Sequence, residues 1–117
     1  MALGGLVGTV ARHAVNIAFA RATPNPVPYA TATVNMIGSL VIGALAGAVA
    51  SGRLTLSAPA RAFVFVGILG GFTTFSSFML DTLTLAKGGA PASAVANIVL
   101  QVLVGIALTY AAYRAFV

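Results

Sequence analysis

Hydrophobic residues fill four long segments of the chain, and polar residues lie mainly in the short stretches between them. The segments run from about Ala2 to Ala20, Tyr29 to Ala50, Ala62 to Leu85 and Ala92 to Tyr113. Each is about 20 residues long, which is enough for a helix to cross the hydrocarbon core of a bilayer. The pattern predicts an all-α integral membrane protein with four transmembrane helices, forming a single domain over residues 1–117.

The third segment carries an interruption that the other three lack. Two adjacent glycines sit in its middle and are followed by a run of hydroxyl residues, both of which weaken a helix. We therefore expect the third helix to break and rewind. A broken helix in lipid is tolerated where its free backbone groups are buried in protein or line a cavity. Packing alone, with a glycine hinge and space-filling aromatic rings, is the alternative interpretation. The residues concerned are Gly70, Gly71, Phe72, Thr73, Thr74, Phe75, Ser76, Ser77 and Phe78.

Polar and small residues recur every four positions in the second and fourth segments, which places them on one face of each helix. Such a face can hold helices together or form a permeation track for a solute. Gly105 interrupts the track of the fourth segment and would leave room for a ligand or for the ring of Phe75 or Phe78. The two rows are Asn35, Ser39, Gly43 and Gly47, and Asn97, Gln101, Gly105, Thr109 and Tyr113.

Composition supports a membrane environment and argues against an enzyme. The 117 residues are 60% hydrophobic and 6% charged, with a mean hydropathy of +1.06, whereas about a quarter of a soluble domain is charged. One acid, one histidine and no cysteine exclude disulfides, paired catalytic carboxylates and a multi-histidine metal site within one chain. The scattered Lys and Arg residues form no basic run, so no nucleic-acid partner is expected.

Positive charges are spread almost evenly over the two sides of the predicted bundle. Arg53, Arg61 and Arg114 fall on the side of the termini, and Arg21 and Lys87 fall on the other side. The positive-inside rule therefore gives this chain no clear orientation. A chain that inserts in both directions can pair with an inverted copy, so we expect an antiparallel, two-fold dimer.

Arg12 lies inside the first segment, where a charged side chain is a structural or functional anchor. We expect it to reach the interface, or to pair with backbone carbonyls or with Asp81, the single acid. Hydroxyl and amide donors combined with the positive edges of phenylalanine rings suit a small, strongly hydrated anion. Backbone carbonyls at a helix break suit a small cation instead.

Three motifs resemble those of the CrcB/Fluc fluoride channel family, in the same order and over nearly the whole chain. The most specific is GxxGGxTTFSSF over residues 67–78, which departs from the family pattern only at Ser77, where the family has Thr. Asn35 and Gly38 match the family's NxxG motif. Residues 4–12 match its GGxxGxxxR motif.

The resemblance implies a dual-topology homodimer with two antiparallel fluoride pores. It also implies a structural Na⁺ at the dimer axis, held by the backbone carbonyls of Gly70 and Thr73 from both chains. Arg12 and Asp81 match positions at which the family carries Arg and often Glu, and we assign them structural roles. The residues that the resemblance places along the pore are Asn35, Phe75, Ser76, Ser77, Phe78, Gln101, Gly105 and Thr109.

The fourth segment departs from the family pattern, because Gln101 replaces a smaller polar residue and Gly105 replaces a frequent Ser. Some members of the family are paired, unequal chains, so a heterodimer with a paralogous chain stays open beside the homodimer. The predicted function is passive, selective export of F⁻ from the cytoplasm through the cell inner membrane. One alternative is a four-helix, proton-coupled multidrug transporter, which needs a membrane carboxylate that the first segment lacks. The other is a structural subunit without transport.

Overall fold

The computed structural model describes the whole chain, Met1–Val117, and all of its regular structure is helical. Four helical segments are long and apolar enough to cross a membrane, which confirms the predicted fold class. They pack into a body of 48 × 28 × 22 Å. The helices are α1 (Ala2–Ala22), α2 (Tyr29–Ala50), α3 (Ala58–Arg61), a π-helix (Ala62–Leu69), α4 (Gly70–Phe72), α5 (Phe75–Lys87) and α6 (Pro91–Arg114).

The third span, Ala58–Lys87, is interrupted at a pair of threonines and not at the glycine pair. Thr73 and Thr74 have extended backbones, with φ/ψ of −86°/162° and −154°/125°. The hydroxyl of Thr73 donates to the carbonyl of Leu69 at 2.8 Å and satisfies the end of the first half. The hydroxyl of Thr74 accepts the N–H of Ser77 at 3.2 Å and caps the start of α5. One threonine thus ends a helix and the next begins another.

Glycines bring α1 close to the first half of the third span. A side-chain carbon on Gly8 would collide with the backbone carbonyl of Ile68, and one on Gly67 would lie 2.9 Å from the Cα of Gly4. Close backbone approach through small residues is a common way to join helices in lipid. This contact ends at the break, since α1 packs against the π-helix and α4 but makes no contact with α5.

The second half of the third span packs on the other side of the bundle. Beyond the break, α5 lies against α6, and α6 in turn makes its broadest contact with α2. Gly43 and Gly47 of α2 face the backbones of Thr109 and Tyr113, so the predicted small-residue face of α2 is a helix contact. The third span therefore packs against α1 before the break and against α6 after it.

The α2–α3 loop and the C-terminus lie at the same end of the bundle, because the guanidinium of Arg53 stacks 5.6 Å from the ring centre of Phe116. This placement is expected, because two spans separate the α2–α3 loop from the C-terminus. Few large side chains are buried within the chain, and Val34 is the largest that is fully enclosed. Most large apolar side chains point outward, as a bundle surrounded by lipid requires.

Candidate permeation site at the broken helix

Asn35 holds the broken backbone in place. Its side-chain nitrogen donates to the carbonyl of Thr74 at 3.0 Å, and its side-chain oxygen accepts the N–H of Thr74 at 2.9 Å. Gly38, one turn further along α2, leaves the space that the methyl group of Thr73 occupies. The NxxG spacing therefore has a local cause: the amide pairs with the extended backbone, and the glycine lets that backbone approach.

A continuous chain of hydrogen bonds runs from Asn35 through α6 and back to α5. Asn35 donates to Gln101 at 2.9 Å, Gln101 donates to Asn97 at 2.8 Å, and Asn97 donates to the hydroxyl of Thr82 at 3.0 Å. That hydroxyl donates in turn to the carbonyl of Phe78 at 2.8 Å. No buried side-chain donor or acceptor lacks a partner. The network fixes both ends of the segment that carries the phenylalanines.

Two phenylalanines after the break form an edge-to-face pair. The ring centres of Phe75 and Phe78 are 6.0 Å apart, and their planes meet at 85°. Phe78 is 6% exposed and Phe75 is 72% exposed. Both rings line a cavity of about 410 Å³ beside Asn35 and the break. The lining of this open cavity thus combines two aromatic rings with one amide.

A second cavity, of about 420 Å³, lies on the opposite side of the break, and none of its lining residues is hydrophobic. It forms where α5 has turned away from α1, which leaves the polar C-terminal half of α1 facing a gap. Arg12, half-buried, supplies its permanent positive charge. The lining residues are Thr9, Arg12, His13, Asn16, Thr31, Thr74, Ser76 and Ser77.

Asp81 does not line the polar cavity, although it lies on α5. Pairing between Arg12 and Asp81 was one of the predicted arrangements, and the structure places Arg12 among hydroxyl and amide groups instead. Thr74 lines both cavities, so only the break separates the polar cavity from the one bounded by Phe75 and Phe78. The arrangement can attract an anion at Arg12 and pass it to neutral donors and ring edges.

The predicted pore residues of the fourth span take part in contacts between helices. Gln101 is buried at 7% exposure, with both ends of its amide bonded within the chain. The hydroxyl of Thr109 donates to the backbone carbonyl of Ser39 at 3.0 Å. Gly105 is buried, and its nearest neighbours are Ser39 and Met36, not the phenylalanine rings.

These three residues also line a surface groove of about 570 Å³ between α2 and α6. The polar row of the fourth span can therefore hold helices together and still line a path for a solute, because its residues both contact α2 and border a groove. The contact between helices is observed, and the role of Gln101, Gly105 and Thr109 in a pore stays a prediction.

The carbonyls of Gly70 and Thr73 have the chemistry that the expected Na⁺ needs. In a continuous helix the N–H of Thr74 would donate to Gly70, but here it donates to Asn35. The N–H of Ser77 would donate to Thr73, but here it donates to the hydroxyl of Thr74. Both carbonyls thus lose their regular donors, and both residues line the 410 Å³ cavity. Neutral carbonyl oxygens of this kind coordinate small hard cations.

Three residues of the site were absent from the predicted pore. Thr74 caps α5 and bonds to Asn35, Thr82 ends the hydrogen-bond network, and Asn97 joins Gln101 to Thr82. The row of polar residues in the fourth segment already contained Asn97. The spacing of α5 offered no comparable signal for Thr82, because its partner lies on another helix.

Comparison with known proteins shows to which family the chain belongs. A family model described as "CrcB-like protein, Camphor Resistance (CrcB)" matches residues 1–113. The chain belongs to this family. The resemblance predicted from the three motifs is therefore confirmed.

Several curated members of the family are similar to the chain over most of their length, and each is called "Fluoride-specific ion channel FluC". The protein of Nitrobacter winogradskyi is 43% identical over 91% of this chain and 83% of its own length. That of Methylobacillus flagellatus is 42% identical over 97% and 89%, respectively. That of Hyphomonas neptunium is 39% identical over 94% and 87%.

Proposed function

We propose that this protein is a fluoride-selective channel through which F⁻ leaves the cytoplasm down its own gradient. The observation that carries the proposal is the break at Thr73 and Thr74, which places a polar cavity with a fixed positive charge directly beside a cavity edged by phenylalanine rings. The similar proteins called fluoride-specific channels support it. Since those relatives are ion channels, we propose no enzymatic activity.

The chemistry of the two cavities favours a small anion. Arg12 is the permanent charge of the polar cavity and no acid lines that cavity, so anions are concentrated there and cations are repelled. Beyond the break the anion would meet the edges of Phe75 and Phe78. Asn35 would border this path and hold the break, since both of its side-chain N–H groups already donate within the chain. The ring edges bear only partial positive charge, so they bind weakly enough for the ion to leave.

The exposed ring of Phe75 supports an assembly of two chains. The ring is 72% exposed and lines a cavity that a single chain does not enclose. A second copy that packs against the broken helix would enclose the cavity and complete the path. Because the charge bias between the two sides is small, we propose an antiparallel homodimer with two pores. A paralogous partner chain would enclose the same face in a heterodimer.

The freed carbonyls of Gly70 and Thr73 lie on this same open face, and we propose that they hold a structural Na⁺ where two chains meet. Four carbonyls from two chains would bind the ion without an ionised ligand and would fix the two breaks against each other. Elemental analysis of protein purified in sodium-containing and sodium-free buffers tests this assignment. One Na⁺ for every two chains is expected, and its absence from both preparations would contradict the site.

The proton-coupled transporter is not favoured. Such a transporter needs a carboxylate within the membrane to exchange protons for its substrate, and α1 contains no acid. Asp81 on α5 is the single acid of the chain and lines neither cavity. The multi-pass chain would serve in the cell inner membrane, where F⁻ that accumulates after entry of HF has to be exported.

Ion efflux from liposomes tests the proposal directly. Purified protein is reconstituted into liposomes loaded with potassium fluoride, and release is followed with a fluoride electrode after a potassium ionophore is added. Liposomes loaded with potassium chloride are the matched control. Rapid release of F⁻ with little release of Cl⁻ is expected. Well-folded protein that releases neither ion, or both equally, would contradict the proposal.

A further inference from the structure

His13 lies in the polar cavity next to Arg12 but has no part in the proposed path described above. It is the single histidine of the chain, and its side chain is exposed. It shares the cavity lining with Arg12 and with hydroxyl and amide groups. Histidine is the side chain that ordinarily gains its charge between about pH 8 and about pH 5. This cavity therefore contains one permanent positive charge and one that depends on pH.

The surroundings of His13 do not offset that second charge. Its own helix contributes Arg12 and the neutral residues Thr9 and Asn16 to the cavity. The other two elements that border the cavity contribute no charged or titratable side chain. Helix α2 contributes Thr31 to the lining. The break and the start of α5 contribute Thr74, Ser76 and Ser77.

The remaining titratable groups nearby do not compensate either. Asp81 does not line the cavity. The N-terminal amine lies at the start of α1, about 18 Å from position 13 at a rise of about 1.5 Å per residue. Protonation of His13 therefore doubles the positive charge of a cavity that holds no acid.

We propose that His13 is a second anion-capture residue, which raises the entry of F⁻ when its imidazole is protonated. The inference rests on the proposed channel function. In a water-filled cavity, the attraction between one added unit positive charge and an anion raises the local anion concentration by roughly two- to fivefold.

Fluoride efflux at two pH values tests the proposal. Liposomes with equal pH on both sides are measured at about pH 8 and about pH 6, with fluoride well below saturation and at saturation. Protein-free liposomes at each pH give the leak of undissociated acid, which is subtracted. For the wild type, the subsaturating flux should rise roughly two- to fivefold from about pH 8 to about pH 6, while the saturating flux stays the same.

Two substitutions of the exposed His13 distinguish capture of the anion by its charge from a structural role of the side chain. His13→Gln should hold the subsaturating flux at the high-pH level of the wild type at both pH values. His13→Arg should hold it at the low-pH level. Raising an impermeant salt from about 0.01 M to about 1 M shortens the Debye length from about 30 Å to about 3 Å and should abolish the difference between the two variants.

The outcomes distinguish this inference from the channel function on which it rests. A wild type that carries F⁻ equally at both pH values, or a His13→Gln variant that keeps the pH dependence, would overturn the role of His13 and leave the channel intact. A difference between the variants that persists at high salt would also overturn it, because a purely structural effect is not screened. A wild type without fluoride flux at either pH would overturn both.

Discussion

The two halves of α1 face the third span in opposite ways. The N-terminal half carries Gly4 and Gly8, and it lies so close to the third span that even a methyl group has no space there. The C-terminal half carries Arg12 and His13, and it faces a polar cavity of about 420 Å³. The same two spans therefore form a closed contact at one end and an open cavity at the other.

The difference arises from the break and not from α1 itself, which is one uninterrupted helix. Up to Phe72 the third span follows α1, and from Phe75 onward it follows α6. Asn35 stabilises the two extended residues between these halves. A short interruption that is fully hydrogen-bonded can thus turn a contact between helices into a path for an ion, without a loop exposed to lipid.

The closed half should be the most sensitive part of the molecule. Gly8→Ala would force a methyl group into the backbone carbonyl of Ile68, and relief requires the two helices to separate. We expect a loss of about 3 kcal/mol in the free energy of unfolding and little folded protein. Size-exclusion chromatography of the detergent-solubilised protein measures the yield.

Gly5→Ala is the matched control for that substitution. A methyl group at Gly5 would meet no atom within 4 Å. It should leave folding and fluoride flux unchanged. Equal yields of the two variants would show that the contact between α1 and the third span has room for a methyl group at position 8, against this prediction.

The link between the two halves should be next in sensitivity. Asn35→Ala removes both hydrogen bonds to Thr74 and leaves the side-chain oxygen of Gln101 without its donor. We expect a loss of about 2–3 kcal/mol in the free energy of unfolding, together with a fall in fluoride flux of at least about tenfold. Asn25→Ala, in the exposed α1–α2 loop, is the control and should change neither quantity. A normal flux in Asn35→Ala would mean that the amide neither holds the break nor contacts the ion.

The far end of the hydrogen-bond network should matter less. Thr82→Val keeps the shape of the side chain but deprives Asn97 of an acceptor and the carbonyl of Phe78 of a donor. We expect a loss of about 1–2 kcal/mol in the free energy of unfolding and a severalfold lower flux. Thr84→Val on the same helix removes an exposed bond to the carbonyl of Leu80 and is a close control. If the two variants behave alike, the network does not position Phe78.

The smallest effect is expected in the groove between α2 and α6. Gly105→Ser would place its Cβ 3.4 Å from the hydroxyl of Ser39 and 3.5 Å from the terminal carbon of Met36, which are ordinary van der Waals contacts. We expect a change of less than about 0.5 kcal/mol in the free energy of unfolding and a flux within about twofold of the wild type. A much larger change in flux with normal stability would place Gly105 on the ion path.

The sequence was sufficient for the spans and for the existence of the break, because both depend on local composition. Four apolar segments of bilayer length predict four spans, and α2 begins and ends where expected, at Tyr29 and Ala50. The glycine pair, which the sequence marked as the weak point because glycine is a poor helix former in water, is not where the helix breaks. In the structure Gly70 and Gly71 are helical, and Gly71 serves the close approach of α1.

The rest of the site depends on contacts between segments far apart in the chain. Asn35 and Thr74 are 39 positions apart, and Asn35 and Gln101 are 66 apart. No periodicity within one helix indicates which polar residue will meet which partner. The π-helix Ala62–Leu69 before the break was not predicted either. Through Gly67 it packs closely against α1, a contact with a segment far away in the chain.

Whether the face opened by the break conducts the ion can be decided with the three phenylalanines of the motif. Phe75 and Phe78 line the cavity beside the break, whereas Phe72 lines neither of the two cavities. Fluoride efflux is measured from liposomes that carry equal amounts of folded Phe72→Ile, Phe75→Ile or Phe78→Ile protein. We expect a loss of at least about tenfold in flux for the Phe75 and Phe78 variants and near-normal flux for the Phe72 variant. Equal flux in all three folded variants would contradict it, because the rings would then serve packing alone.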